Sequence, residues 1–453
     1  MQVAGVSMPG SLSRDFLMPS WLQRLRLRAE DEARHSRALR ELASSALCWS
    51  SKSPDKLTRA YELSENFSHH RAISARLQAM GAFEDAGYWL EKVRHSPRYQ
   101  SSFKQKMTLG RSVVLKAPGP GGEKGLLLMT FEYNWARLML GLDASGRRWI
   151  DEHFNLVLST SWSPTDYAVL ALMLACTRDQ LFVQACNHAE RDAIEAFHPR
   201  LTSLRTMPCD WLDPEGFLPK PAAERTIDLL MVANWGKFKR HWEFFEVLTQ
   251  LPSGLNVVFI GQKCDGRSKE DMMRMAQDYG VKQNIVFYES LPISEVARLQ
   301  SDAKVSVIMT RREGCCVAAV ESMMAGAALA MRADAHVGPL AHINEQTGAR
   351  LRPGHLAEDL TRLLKDVSTM NPRDWCLNHA CNTRSRLLLE EQLSAHELSS
   401  GRPWTRGIML PKWRPHPTFA LAEEQQALKP VYEELSSRFP AVFSPSLWDQ
   451  SWQ

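Results

Sequence analysis

Short, almost wholly apolar segments return along the middle of this chain, each separated from the next by a stretch of helical periodicity. A strand that stays apolar on both of its alternating faces must be covered on both sides, and that is the condition of a parallel sheet flanked by helices. The first set lies at residues 125–131 (GLLLMTF), 156–160, 181–186 and, more weakly, 204–207. Helices are expected between them at 135–142, 166–176 and 188–197. The second set is cleaner, with strands at 227–233, 256–261, 284–288, 304–309 and 327–332 and helices at 241–251, 269–279, 293–302 and 317–325. Strand–helix alternation of this kind predicts an α/β chain with two doubly wound parallel sheets.

A Pro-rich stretch, DPEGFLPKPAAER at 213–225, parts the two sets, and Ala-Pro-Gly-Pro-Gly-Gly-Glu-Lys at 117–124 precedes the first. Before it, residues 14–110 contain no convincing strand and read as helices of mixed charge. After 355 come helices at 356–367 and 375–398, an irregular Pro/Trp segment, and a last helix near 422–438. At 453 residues the chain has room for several domains. The expected division is a helical N-terminal extension (1–116), a first Rossmann-like domain (117–220), a second (221–370) and a C-terminal helical segment (371–453). Two such domains joined by a short hinge face each other across a cleft, and open α/β sheets bind ligands at the carboxyl ends of their strands. Many enzymes share that shape, so function must come from the site.

Composition narrows the field. With 55 basic and 51 acidic residues the net charge is only +4, so no nucleic-acid partner is called for. The nine cysteines form no CxxC pair, which argues against a metal cage or a disulfide framework and for a reducing compartment. The N-terminus has no charged head before an apolar core, and no apolar run is long enough to span a bilayer. A cytoplasmic protein is expected. Trp21, Leu22 and Leu25, interleaved with Arg24, Arg26 and Arg28, fit either a helix packed on its own protein or a weak peripheral contact with an anionic membrane.

The segment 304–326, KVSVIMTRREGCCVAAVESMMAG, concentrates the chemistry. An apolar strand enters a loop carrying Glu313, Gly314, Cys315 and Cys316, and a helix then begins near Val317 and carries Glu321. Glycine lets a backbone approach a ligand closely. The helix N-terminus supplies free N–H groups and partial positive charge, which suit phosphate. One carboxylate can then take ribose hydroxyls while the other faces a sugar beyond a diphosphate. The plainer alternatives stay open: Glu313 paired with Arg311 or Arg312, Glu321 as an ordinary helix residue, and the two cysteines as small pocket lining.

With this spacing, Glu313-x7-Glu321, the sequence resembles the retaining GT-B glycosyltransferases, especially glycosyltransferase family 4. Ala325-Gly326-Ala327 before a strand, the His336-Val337-Gly338 loop, and Thr347-Gly348 with Leu351 extend the resemblance. Upstream, Met231-Val232-Ala233-Asn234 ends a strand and Lys239-Arg240 opens the next helix, similar to the family's Arg/Lys element. Where the family carries an arginine, this chain has Asn234-Trp235-Gly236-Lys237, so Lys237 and Lys239 compete for that role. The resemblance implies a GT-B fold and transfer of a sugar from a nucleotide-sugar donor, with retention and without metal or cofactor. Lys239 and Arg240 would hold the leaving diphosphate, Glu321 the ribose, and Glu313 the sugar. Gly314, Cys315, Cys316, Asn234, His336 and Gly338 would line the pocket. His188, after the 181–186 strand, is the topological candidate for a histidine from the first domain; a polar helix-start residue is its plainer reading. Glu132-Tyr133-Asn134-Trp135 and Ser161-Trp162-Ser163 follow strands of the first sheet and fit either sugar contact or packing. The acceptor, carbohydrate or lipid-linked, is not specified. A nucleotide-sugar epimerase on the same fold and a non-catalytic nucleotide-sugar scaffold remain as alternatives.

Overall fold

The computed structural model describes residues 20–103, 112–412 and 418–443. The expectation of a leaderless N-terminus, the first residues of the expected helical extension and part of the Pro/Trp segment lie outside them. Six helices come first: α1 (Ser20–His35), α2 (Arg37–Ser50), α3 (Pro54–Leu63), α4 (Phe67–Ala79), α5 (Ala86–Arg94) and α6 (Gln100–Phe103). Strands β1 (Ser112–Lys116) and β2 (Gly125–Thr130) lead to α7 (Glu132–Gly141), α8 (Ala144–His153), β3 (Phe154–Ser159), α9 (Tyr167–Cys176), β4 (Leu181–Gln184), α10 (Arg191–Phe197) and β5 (Leu201–Ser203). The second alternation runs β6 (Ile227–Val232), α11 (His241–Leu248), β7 (Asn256–Gly261), α12 (Lys269–Tyr279), β8 (Asn284–Glu289), α13 (Ile293–Ser301) and β9 (Ala303–Ile308). It continues with α14 (Val317–Met324), β10 (Ala328–Arg332), β11 (Gly348–Leu351) and α15 (Leu356–Asp366), and α16 (Pro372–His379), α17 (Asn382–Ser399) and α18 (Ala422–Arg438) end it.

The described residues form two compact units. One joins the residues up to Ser36 with Leu212–Cys381; the other joins Arg37–Trp211 with the residues from Asn382 onward. The helical N-terminal region is therefore divided after Ser36, with α1 on the second sheet and α2–α6 on the first.

In the unit of the first sheet, the five strands are ordered β1-β2-β3-β4-β5, with β1 antiparallel to β2 and the others parallel. The strands advance in one direction only, so the expected double winding does not hold for this sheet. β1 escaped the sequence reading because it is an edge partner whose Lys116 lies fully buried against Glu123 at 2.7 Å. The expected strand at 204–207 is corrected to Leu201–Ser203. Leu204 already leaves the ladder with one bond to the Val183 carbonyl, and Asp210 then caps a turn by accepting from the Met207 N–H at 2.8 Å. α8 was also missed; Asp143 starts it by accepting from Gly146 N–H at 2.7 Å. α3 and α4 pack on this unit through Tyr61, whose hydroxyl donates to the Ala193 carbonyl, and Ser74, which donates to that of Phe197.

In the other unit, six parallel strands are ordered β11-β10-β9-β6-β7-β8. From β6 the chain winds to one side through β7 and β8, then returns to the other side of β6 with β9. This reversal between β6 and β9 is the place where loops leave in opposite directions and open a crevice at the strand ends. Met231, Phe245, Phe259 and Val305 fill the core beneath it, and Leu27 of α1 is buried in the same core. The single helix expected at 375–398 is interrupted at Ala380–Cys381, where Cys381 bridges to Leu212.

Candidate active site

β6 delivers the first half of the site. Beyond Val232, the Trp235 N–H donates to the Gln262 carbonyl, and its fully buried indole donates to Glu289 Oε2 at 2.7 Å. Asn234 Oδ1 accepts from Gly236 N–H at 3.1 Å, so this side chain braces its own turn. A short 3-10 turn, Lys237–Lys239, follows, and Arg240 adopts left-handed backbone angles (φ 57°, ψ 38°) before α11 begins. That conformation is unusual for a residue with a Cβ. It sends two consecutive cations to different partners. Lys239 pairs with Glu313 Oε1, whereas Arg240 pairs with Asp31 of α1 and with Glu243, at 2.9 Å.

β9 delivers the second half. The loop after Ile308 is pinned to the one after β10: His336 N–H donates to the Arg311 carbonyl at 2.6 Å and Glu313 N–H to the His336 carbonyl at 3.3 Å. Gly338 N–H reaches the Gly314 carbonyl at 3.5 Å. Glu313, Gly314, His336 and Gly338, named from sequence alone, therefore come together through their backbones, while the His336 side chain is exposed. Cys316 is a second left-handed residue (φ 41°), and it opens α14 with no side-chain cap on the helix N-terminus. Glu321 is half-buried in the second turn of α14, and Cys315 is half-buried in the loop before that helix.

Electrostatics tie these groups into one cluster. Burial pushes the Cys316 thiol up to about 12, with the Glu313 and Glu321 carboxylates adding to the rise and the Lys239 ammonium opposing it. Cys316 is thus a neutral lining residue rather than a thiolate. Burial by itself would lower the Lys239 ammonium, but the facing Glu313 carboxylate outweighs it and raises the net value, so the charge is retained. Glu313 Oε2 is buried without a hydrogen-bond partner among the described residues. A buried, unmatched carboxylate oxygen is costly, and it is an acceptor suited to a ligand hydroxyl.

Sequence reasoning missed the ring of charges behind Lys239. Arg311 donates to Asp31 at 3.2 Å and Glu32 at 2.7 Å, and Arg332 grips Asp334 at 2.9 Å and also Glu243. Burial alone would raise the Asp31 carboxyl, but hydrogen bonds from His35 and Arg240 hold it well below the usual carboxylate range. The acidic run Glu30-Asp31-Glu32 was visible, yet nothing local says which cations, more than two hundred residues away, it meets. Arg24 and Arg28 of α1 are likewise engaged by protein. Arg24 lies 4.0 Å over the Tyr279 ring and Arg28 pairs with Glu246, while Trp21 and Leu25 stay exposed. Among the described residues no helix is long and apolar enough to cross a membrane.

His188 belongs to the other unit, exposed in the short turn that follows β4. At the carboxyl ends of that unit's strands a buried polar network was not foreseen as such. Glu132 accepts from Thr165 Oγ1 at 2.8 Å and from Ser161, Glu190 accepts from Thr165 N–H, and Asn187 donates to Ser163 Oγ at 2.6 Å. Phe131 there has φ 69°, and its ring stacks on Tyr133 at 5.4 Å.

Residues 217–378 match the family model described as glycosyl transferases group 1. No curated protein sequence matches the chain. Among solved structures, the chain is similar to sucrose-phosphate synthase from Thermosynechococcus elongatus, at 17% identity over 61% of this chain and 74% of that one, with a TM-score of 0.46. HepE of Anabaena in complex with UDP and glucose shares 14% identity over 59% and 78% of the two chains (TM-score 0.45). The lipopolysaccharide outer core galactosyltransferase WaaB shares 16% over 58% and 73% (TM-score 0.44). The group 1 match lies within the unit that carries Lys239 and Glu313, the one built on the six-stranded parallel sheet.

Proposed function

We propose that this chain, carrying a group 1 glycosyl transferase domain, moves a sugar from a nucleotide-sugar donor to a carbohydrate or lipid-linked acceptor. The observation that carries this reading is the buried Lys239–Glu313 pair at the reversal between β6 and β9, beside the uncapped N-terminus of α14. In the proposed reaction an acceptor hydroxyl oxygen bonds to the anomeric carbon as the bond from that carbon to the diphosphate breaks. The acceptor proton passes to the departing diphosphate on the same face, which retains configuration. Lys239 and the α14 N-terminus take up the charge growing on the leaving group, an effect strongest where water is excluded. Glu313 holds the sugar hydroxyls and Glu321 the ribose, while Asn234 and Gly338 shape the rim. Arg240, bound to Asp31 and Glu243, supports the site from behind. We assign no metal or cofactor to the step and place the protein in the cytoplasm.

The test is nucleotide release from a panel of nucleotide sugars, each with candidate acceptors, by the purified full-length chain. Glu313→Ala and Lys239→Ala are expected to lose about 10²–10³ in turnover with folding retained, and a chelator is expected to leave transfer intact. Wild-type rates in both variants would sink the assignment. One observation favours a second reading, a non-catalytic nucleotide-sugar binder: a cation expected at the diphosphate, Arg240, is committed to Asp31 and Glu243. Donor binding without transfer across the whole panel would select it.

A further inference from the structure

The first helix bears on the site through charges that neither the family match, which begins at residue 217, nor the pocket residues above involve. α1 is fastened along its length to the unit of the second sheet. Leu27 enters the core, Arg24 covers Tyr279 and Arg28 pairs with Glu246. These contacts carry its acidic run to the loops of the site. Acids near the carboxyl end of a helix are unfavourable to the helix itself, and aspartate is a weak helix former. Besides His35 of its own helix, at 3.4 Å, Asp31 is compensated by what it faces across the unit.

What it faces are two cations from two elements. Asp31 Oδ2 meets Arg240, at the start of α11, and Arg311, at 3.2 Å, in the loop after β9. Arg311 stands two residues before Glu313, and its carbonyl accepts the His336 N–H, so its side chain and its backbone fix the same loop from opposite sides. Arg240 stands next to Lys239. We propose that Asp31 is a positioning residue: it ties the segment bearing Lys239 to the loop bearing Glu313, and so sets the geometry in which the two meet the donor. This rests on the transferase reading for its consequence, but not for the tie itself. Without the Asp31 charge, the two guanidinium groups lose the carboxylate they share. Arg240 keeps Glu243 and Arg311 keeps Glu32 and Asp334, so what is lost is the link between them, and the loop bearing Arg311 and Glu313 is freed from the segment bearing Lys239.

Asp31→Asn in the full chain keeps the shape and removes the charge. Amide hydrogen exchange is expected to quicken by about tenfold or more at 311–316 while α1 stays protected, as for a local opening. Unchanged exchange at 311–316 overturns the proposal, and so does an even acceleration over the whole chain, which marks general unfolding. In the donor assay, turnover is expected to fall about tenfold with donor KM within about threefold of wild type, the signature of lost positioning rather than lost binding. Asp31→Glu is expected to recover most of it, and Arg26→Gln, on the exposed face of the same helix, to change neither quantity. Equal kinetics in Asp31→Asn and wild type overturn the proposal. A wild-type chain that neither binds nor turns over any donor removes the transferase reading, and the exchange result then decides the tie by itself.

Discussion

At Lys239 and Glu313 stability and function can be pulled apart. Both side chains are nearly withdrawn from water, so removing one leaves the other charged and unmatched. Lys239→Ala is expected to cost about 3 kcal/mol by denaturant titration. Pairing Lys239→Met with Glu313→Leu is expected to recover most of that loss while transfer stays absent; a double variant no more stable than the single one would show that the pair is not the source of the cost. His241, one residue beyond Arg240, tests pH. Burial, with Arg267 and Lys239 nearby, presses its imidazole from 6.5 down to about 3, and neither ring nitrogen has a hydrogen-bond partner among the described residues. The folded chain keeps it neutral, whereas the unfolded chain protonates it near its ordinary value. Its contribution is thus intact above pH 6.5 and is lost as pH falls from there toward about 3. His241→Phe should flatten this part of the stability–pH profile, and be neutral or stabilising by up to about 2 kcal/mol at neutral pH. An unchanged acid slope would place the sensitivity elsewhere.

At the scale of elements, the site depends on loops held at both ends. The strand beyond β10 shows how little freedom the sheet allows. Gly348 opens β11 with φ 155°, and a Cβ there would lie 1.9 Å from the Leu329 carbonyl oxygen across the ladder. β10 leads directly into the loop whose His336 pins Glu313, so disturbance at β11 reaches the site through one strand. Gly348→Ala is expected to lower stability by at least about 1–3 kcal/mol and to reduce donor binding with it. A melting temperature equal to wild type would refute the crowding argument. α14 shows the opposite economy, since a left-handed Cys316 lets its N-terminus begin without a side-chain cap, leaving backbone N–H groups for a ligand.

For the molecule as a whole, each unit has its own buried core, one built around Trp89, Trp135 and Phe197, the other around Met231, Phe259 and Val305. Chains with separate cores seldom unfold in one step. Calorimetry is expected to resolve more than a single two-state transition, and a saturating nucleoside diphosphate to raise the one belonging to the second sheet. At about a hundred times its Kd the ligand adds about 2.7 kcal/mol to that unit. One sharp transition with equal calorimetric and van't Hoff enthalpies would reject this.

The sequence by itself determined five of the six described strands of the second sheet to within a residue at each end, because an apolar run covered on both faces is a local property of the chain; the short edge strand β11, with Arg350 exposed, was missed. It also placed Glu313, Gly314, His336 and Gly338 near one another, since each sits at a strand end where loops converge. Edge strand β1, with its buried Lys116–Glu123 pair, and α8, begun by an Asp143 cap, carried weaker local signals and were missed. Only the tertiary structure decided that Arg240 turns to Asp31 rather than standing beside Lys239, and that α1 joins the second sheet instead of the first. Charge pairing across hundreds of residues leaves no periodicity to read: an ion pair needs only two groups brought within a few ångströms, and the fold alone chooses which.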